Sequence, residues 1–498
     1  MRSGVRSSPP SDHSHDRIVL VLACAAQFMV VLDVSVVNVA LPSIGRALGY
    51  SPVGLQWVVN AYVLTFAGFL LLGGRAADLY GRRKVYLFGI GLFSATSLVG
   101  GLAQTSTWLT VARAAQGIGA AFLSPATLTI IVTTFSGLRL GRALGLWAAT
   151  GGAGGAAGVL IGGVLTSELG WRWVLFVNVP IGALTMIGAM TYLTEVRRQS
   201  SGARLDVWGS VTVTAGLAAL AYAIVDTDEY SWGSARTLVI LAIAFVLLGV
   251  FLVLQVKVAS SPLMPVRLFR SRWVTGANVV MLLAAAAIFS VWYFLSLFLQ
   301  NVLQYDALRT GLAFAPLSTM IVVGAQTAPR LLIWLGTRGV LLAGALMAAA
   351  GFGWLTQIAS SRGYWTVVFG GATLVSLGIG MVYTALASAG TLGVDSGDAG
   401  LASGVLNTSR QVGGSIGLAA LATVASSHTA HLEHAGIQDT SAIAAGYGRA
   451  FTISCGLMVA AFVAAFVVPA ITTTSSVEAA LTSDIADDGP RPSGARPE

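Results

Sequence analysis

Three charged side chains stand well inside long apolar runs: the carboxylate of Asp33 and the guanidinium groups of Arg113 and Arg410. An ionised group in a bilayer interior costs about 3 kcal/mol or more, so it is retained where it does work. Burial disfavours an ionised acid and a nearby cation favours it. Opposed terms of that kind suit a group that exchanges a proton as its surroundings alternate. At ~1.5 Å of rise per residue, Asp33 lies about 12 Å, and Arg113 about 9 Å, from the same end of their runs. Their depths overlap once the length of an arginine is counted, so Asp33 and Arg113 are the expected proton-coupling pair; a static structural ion pair is the other reading. Arg410 lies about 15 Å into its own run. It could meet an anionic or polar substrate, with Asn407 and Gln411 beside it, or satisfy carbonyls at a helix contact.

Other chemistries are poorly served. The two cysteines, Cys24 and Cys455, sit in apolar runs as small hydrophobes, with no partner spacing for a metal or a disulfide framework. No histidine lies in a run. His428, His431 and His434 are spaced by three and are expected in a mobile loop with Glu433, not around a metal. There is no Gly-x4-Gly-Lys-Ser/Thr loop, which excludes ATP drive of that type. Neither an enzyme nor a cofactor is expected.

The elements that must position these residues follow from composition. Of 498 residues, 10% are charged and 55% hydrophobic, against about 25% charged in ordinary soluble proteins. Mean hydropathy is +0.80. Such a chain is an all-α membrane protein, and the net charge of +8 does not imply a nucleic-acid partner. A spanning helix needs about 20 apolar residues, and the sequence holds fourteen such runs, the first at 18–41, too long for a signal-peptide core. Of the 28 Lys and Arg residues, twenty fall on one side of these runs and six on the other. That bias puts both termini in the cytoplasm of a cell with the protein in its plasma membrane. The expected organisation is a cytoplasmic arm (1–17), a six-helix bundle (18–194), two inserted spans with linkers (195–272), a second six-helix bundle (273–470) and a disordered cytoplasmic tail (471–498).

The two bundles carry traces of one repeat. Gly141, Gly145, Gly154, Gly155 and Gly158 match Gly400, Gly404, Gly413, Gly414 and Gly417 at a single offset of 259. GRAADLYGRRKV (74–85) has a faded partner in PRLLIWLGTRGV (329–340), at offset 255. Asp78 then corresponds to Ile333. Aligning Gly117–Gly119 with Gly378–Gly380 makes Leu374 the counterpart of Arg113. Ionisable chemistry is thus concentrated in the first half. The glycines of the fifth span, among them Gly145, Gly154, Gly158, Gly162 and Gly163, allow a neighbouring helix to approach closely.

Several of these segments resemble the major facilitator superfamily, in particular its fourteen-span drug:proton antiporter branch, and the composition resembles actinomycete antibiotic exporters. LDVSVVNVALPSI (32–44) resembles the branch's first-span signature, and GRAADLYGRRK (74–84) the superfamily's loop between spans 2 and 3. LTVARAAQGIGAA (109–121) is similar to the fourth-span motif with its buried arginine. WRWVLFVNVPIG (171–182) and GLASGVLNTSRQVGGSIG (400–417) are similar to other segments of the branch. One departure is Val159, which stands where the branch's fifth-span motif has proline after Gly158. The resemblance implies the major facilitator fold, two six-helix bundles plus two inserted spans. It also implies a gating loop at Gly74, Asp78, Gly81, Arg82 and Arg83, and proton coupling through Arg113. The expected function is proton-coupled multidrug or antibiotic efflux by alternating access, conferring antibiotic resistance and energised by the proton gradient. The partners would be a hydrophobic or amphipathic small-molecule drug, protons and the lipid bilayer, with the protein acting as a monomer. Trp57, Tyr62, Asn407, Arg410 and Gln411 are the expected substrate-cavity residues. With one buried acid against two buried arginines, substrates are expected to be neutral, monocationic or weakly anionic. The competing readings are a secondary transporter of a siderophore, lipid or metabolite, and a non-transporting membrane receptor.

Overall fold

The computed structural model describes residues 13–195, 205–227, 229–258, 262–359, 363–391, 394, 399–437 and 440–470, and among them every regular element is helical. In chain order the helices are α1 (His13–Leu48), α2 (Trp57–Tyr80), α3 (Arg82–Gly101), α4 (Ser106–Thr134), α5 (Gly137–Val164), α6 (Trp173–Phe176) and α7 (Asn178–Tyr192). There follow α8 (Val207–Asp226), α9 (Ala235–Val253), α10 (Arg272–Leu297), α11 (Ala307–Leu355), α12 (Phe369–Thr391), α13 (Ala399–His434) and α14 (Thr440–Ala464). The arm 1–12, the linker 196–204 and the tail 471–498 lie outside the described residues.

Twelve helical stretches among the described residues are long and apolar enough to cross a membrane, two fewer than the runs in the sequence. One difference is α11, which with its last turn forms a single stretch, Ala307–Ala359, of 53 residues. It is broken at Gly336, whose φ of 66° and ψ of 173° are not helical. The other is α13, whose 36 residues include the polar run Asn407–Gln411. His428, His431 and His434 also differ from expectation. They lie on the last turns of α13 rather than in a loop, because the alanine-rich stretch after Leu418 is strongly helix-forming and carries the helix on. α5 runs unbroken through Val159, as a helix without an internal proline should.

The internal repeat is visible as matched contacts. A Cβ on Gly154 would lie 2.9 Å from Phe28 O, and one on Gly158 2.9 Å from Leu32 O. In the second half, a Cβ on Gly413 would lie 2.3 Å from Leu282 O, and one on Gly417 2.4 Å from Ala286 Cα. The glycines are 259 apart and their partners 254 apart in both cases, so α5 sits on α1 as α13 sits on α10. Likewise Gly119 abuts Phe93 N and Gly89 O, while Gly378 abuts Ala348 N and Gly344 O. This fixes the α4–α12 offset at 259, two residues away from the register suggested by the Gly-Ile-Gly match, and makes Ala372 rather than Leu374 the counterpart of Arg113. Gly81 (φ 97°) and Gly336 (φ 66°) are the equivalent tight turns. Beside them Arg83 Nη2 donates to Met190 O (2.5 Å) and Arg338 Nε to Val468 O (2.8 Å), each reaching the end of the last helix of its half.

α8 belongs to neither half. It lies against α2, where the missing side chain of Gly68 makes room for Thr214. It also lies against α13, where Thr423 Oγ1 donates to Ile224 O (3.4 Å). α9 covers α8 and presents Phe245, Val246 and Leu252 outward.

Candidate functional site

A polar centre is buried in the first bundle. Asp33 is 0% and Arg113 2% exposed. Arg113 Nη1 donates to Asp33 Oδ2 (2.5 Å) and to Gln116 Oε1 (2.7 Å), while its Nε donates to Val58 O (3.0 Å). Asp33 Oδ1 accepts from Gln116 Nε2 (2.8 Å) and Asn178 Nδ2 (2.7 Å). Ser97 Oγ closes the set by accepting from Gln116 Nε2 (2.6 Å). Helices α1, α4 and α7 therefore meet at one carboxylate, which α3 joins through Ser97 and the amides of Gln116 and Asn178, and whose lone pairs are satisfied as burial demands. The ring of Tyr62, on α2, lies under the guanidinium, 4.4 Å from ring centroid to Cζ. Toward the outside of the membrane-crossing stretch, Tyr50 donates to Ser106 O (2.6 Å). Burial pushes the Tyr50 hydroxyl above its ordinary pKa, opposed by its bond with Thr110 and by the charge of Arg113.

The same positions in the second bundle are apolar. The offsets above carry Asp33 to Ala287, Arg113 to Ala372, Gln116 to Val375 and Ser97 to Phe352, all 0% exposed. Packing of this bundle type does not require the polar centre.

Between the halves lies a cavity of ≈490 Å³. Its walls come from α1, α2, α4 and α5 on one side and from α10, α11, α12 and α13 on the other. Tyr62, Asn407, Arg410 and Gln411 are on the wall, as are Phe66, Trp147, Phe289, Trp292 and Tyr383. Trp57 is not. It sits at the start of α2 with its ring 6.2 Å from that of Tyr222 on α8, among the side chains between α2 and the inserted pair. Asp33 and Arg113 are also absent from the wall. Tyr62 belongs to both places: its ring lies against the Arg113 guanidinium, and the residue also lines the cavity.

At the end away from the Arg82–Arg83–Lys84 turn the halves close on each other. Ser296 Oγ donates to Asn38 O (2.7 Å) and Gln300 Nε2 to Val39 O (2.8 Å). Here α5 and α11 touch backbone to backbone: a Cβ on Gly163 would lie 2.8 Å from Ala307 O, and one on Gly311 2.6 Å from Val159 O. At the basic end, Gly81 leaves room for the Glu195 carboxylate, which would fall 1.8 Å from a Cβ there. Gly74 has only an ordinary contact with Pro125, and nothing lies within 4 Å of a Cβ on Gly145. Among the described residues, no group of three His, Cys, Asp or Glu side chains could hold a metal.

Sequence reasoning missed Ser97, Gln116, Asn178 and Glu195. Gln116 could have been found, since it stands three residues after Arg113 on the same helical face. Ser97 and Asn178 carry no charge and have no spacing that distinguishes them.

Two like bundles around a shared cavity, closed at one end, are the architecture of a membrane carrier that exposes its site to one side at a time. The chain belongs to the Major Facilitator Superfamily, whose profile matches residues 23–418. It is accordingly a multi-pass membrane transporter and not an enzyme. It is 44% identical over 474 residues to the cephamycin export protein of Amycolatopsis lactamdurans, covering 95% of this chain and 96% of that one. It is 38% identical to the puromycin resistance protein of Streptomyces alboniger, covering 90% of each. Among solved structures, a bacterial homologue of the human lysosomal transporter Spinster, in an inward-facing and unoccupied conformation, superposes with a TM-score of 0.64 at 16% identity, covering 93% of this chain and 98% of that one. The peptide-transporter-family protein PepTSo superposes with a TM-score of 0.67 at 14% identity, covering 91% and 98%. Both share the fold.

Proposed function

We propose that the protein is a proton-coupled exporter of antibiotic-like compounds in the plasma membrane, working by alternating access as a monomer and conferring resistance. The observation that carries this reading is the contact chain from Asp33 through Arg113 and Tyr62 to the cavity. Relatives named for cephamycin export, puromycin resistance, and tetracenomycin C resistance and export support the direction and the solute type.

Asp33 is the proton carrier. Taking up a proton at Oδ2 removes the anionic partner of Arg113 and turns an acceptor into a donor. Asp33 lies on α1 only five residues before Asn38, whose carbonyl is part of the closed end, so rearrangement at the carboxylate is passed to that closure along one helix. The cavity is complete within one chain, which supports a monomer. Its outlet then faces the cytoplasm, where the turn Gly81–Lys84 and both termini lie, and the conformation is inward-facing. The chain crosses the membrane fourteen times on this reading. The bend at Gly336 supports two crossings within Ala307–Ala359, and the packing of α13 on α10, in the way α5 packs on α1, supports a further one. Asp78, Arg82 and Arg83 form the gate at that outlet.

Inverted membrane vesicles with an imposed pH gradient test the reading. Uptake of a transported antibiotic should be fast for the native protein and fall to the level of empty vesicles for Asp33→Asn, which cannot titrate. Gradient-driven uptake by Asp33→Asn at the native rate would remove Asp33 from the mechanism.

A further inference from the structure

Among the described residues on the cavity wall, Arg410 is the one charged at neutral pH; every other polar group there is an amide, a hydroxyl or an indole. No carboxylate among the described residues pairs with it, and its Nε is buried without a hydrogen-bond partner. The Tyr383 ring lies 5.7 Å from its Cζ. Asn407 and Gln411 are one turn apart on the same helix and also face the cavity. Asp33 cannot serve as the counter-ion. Both its oxygens are already engaged, and it lies behind Tyr62.

We propose that the cavity takes an amphipathic organic monoanion, with Arg410 as its counter-charge. The inference rests on the cavity being the transport site. A carboxylate suits the planar fork of a guanidinium, which can donate two parallel N–H bonds. The amides of Asn407 and Gln411 supply further donors to the same oxygens. Phe66, Phe289 and Trp292 offer the apolar surface that an aromatic or alicyclic body needs. A cation in the same place meets a like charge with no acid among the described wall residues, and a dication meets it twice over. The neutral and monocationic substrates left open by the buried-charge count are thereby narrowed to anions.

Three probes of one shape separate the possibilities: 1-naphthylacetate, its neutral amide 1-naphthylacetamide, and the cation 2-(1-naphthyl)ethylammonium. Equilibrium binding to the purified full-length protein in lipid nanodiscs needs no proton gradient. Native protein should bind the acid about tenfold or more tightly than the amide, with the cation weakest, a gap in line with a charge-assisted pair over a neutral one. Arg410→Gln should bring acid and amide to parity, acid binding falling by about tenfold more than amide binding, and Arg410→Lys should keep part of the preference. A thermal midpoint equal to that of the native protein shows that the variant is folded. The proposal fails if native protein binds acid and amide alike, if it binds no 1-naphthylacetate up to millimolar levels, if the cation binds best, or if Arg410→Gln weakens acid and amide equally. Loss of gradient-driven export with the acid preference intact would count against proton coupling alone. Export of neutral compounds without any acid preference would overturn only the charge assignment.

Discussion

Removing both charges of the polar centre should harm the fold less than the two single removals add up to, and should still abolish energised export. In Asp33→Ala a guanidinium that is 2% exposed keeps only Val58 O, Gln116 Oε1 and the Tyr62 face. In Arg113→Ala a fully buried carboxylate keeps the two amide donors of Gln116 and Asn178. Each single change leaves a buried charge without its counter-ion, at about 3–5 kcal/mol. Independent effects would then sum to roughly 6–10 kcal/mol. The double variant holds no unpaired charge, and its second half already packs well with Ala287 and Ala372 at the same two places. Its loss should fall short of the sum by about 2–3 kcal/mol, the scale of coupling between side chains in direct contact. Denaturant unfolding of the four proteins in one detergent gives the cycle, and vesicle uptake gives the activity. A double variant as unstable as the sum would refute the account of the pair as mutually compensating charges. Native export rates in that variant would refute its functional role.

Two further outcomes follow from the packing. Gly158→Val should destabilise by about 1–3 kcal/mol by overpacking α5 on α1, since its Cβ would meet Ser35 Cβ at 2.7 Å, while Gly145→Ala should be silent; comparison of thermal midpoints in detergent decides, and equal midpoints would contradict the close-packed contact. Ser296→Ala with Gln300→Ala should loosen the closed end, because both donors to the α1 carbonyls go. In a Cys24→Ala, Cys455→Ala background, a cysteine placed at Asn38 should then react faster with a membrane-impermeant thiol reagent added from outside, and an unchanged rate would rule out those two bonds as the closure.

The charge pair was legible because charge is rare in apolar sequence: Asp33 and Arg113 stand out by type, and the helical rise alone brings their depths together. Their neutral partners were not. An asparagine and a serine in a membrane helix bond their own backbone as readily as a distant carboxylate, so only the three-dimensional meeting of α3 and α7 with α1 reveals Asn178 and Ser97. Trp57 shows the converse. An aromatic near a span end has the same appearance whether it faces a cavity or another helix, and α8, placed by nothing in the sequence near Trp57, took its ring. The repeat was readable from the glycines of α5 and α13, where backbone contact forbids a side chain and fixes the offset at 259. It was misread by two residues in α4, because Gly117 and Gly380 face α2 and α11, and only Gly119 and Gly378 make the equivalent contact. The helix continuing through His434 was hidden because the polar run Ser426–Thr429 and the three histidines read as a loop, although the alanines around them favour helix.

The position of α8 across α2 and α13 bears on the route by which a lipophilic solute arrives. In a two-fold arrangement the α2–α13 seam and the α5–α11 seam are equivalent slots between the halves, both facing lipid. Here the first is roofed: Thr214 fills the notch at Gly68 and Thr423 reaches Ile224, so acyl chains cannot slip between α2 and α13 without first displacing α8. Among the described residues no inserted helix crosses the second seam, which is closed by α5 and α11 alone, backbone to backbone at Gly163 and Gly311. A compound dissolved in the bilayer therefore meets one seam roofed by a third helix and one held only by the contact of two helices, and sideways entry, as distinct from entry out of the aqueous phase, needs fewer elements to move on that second side.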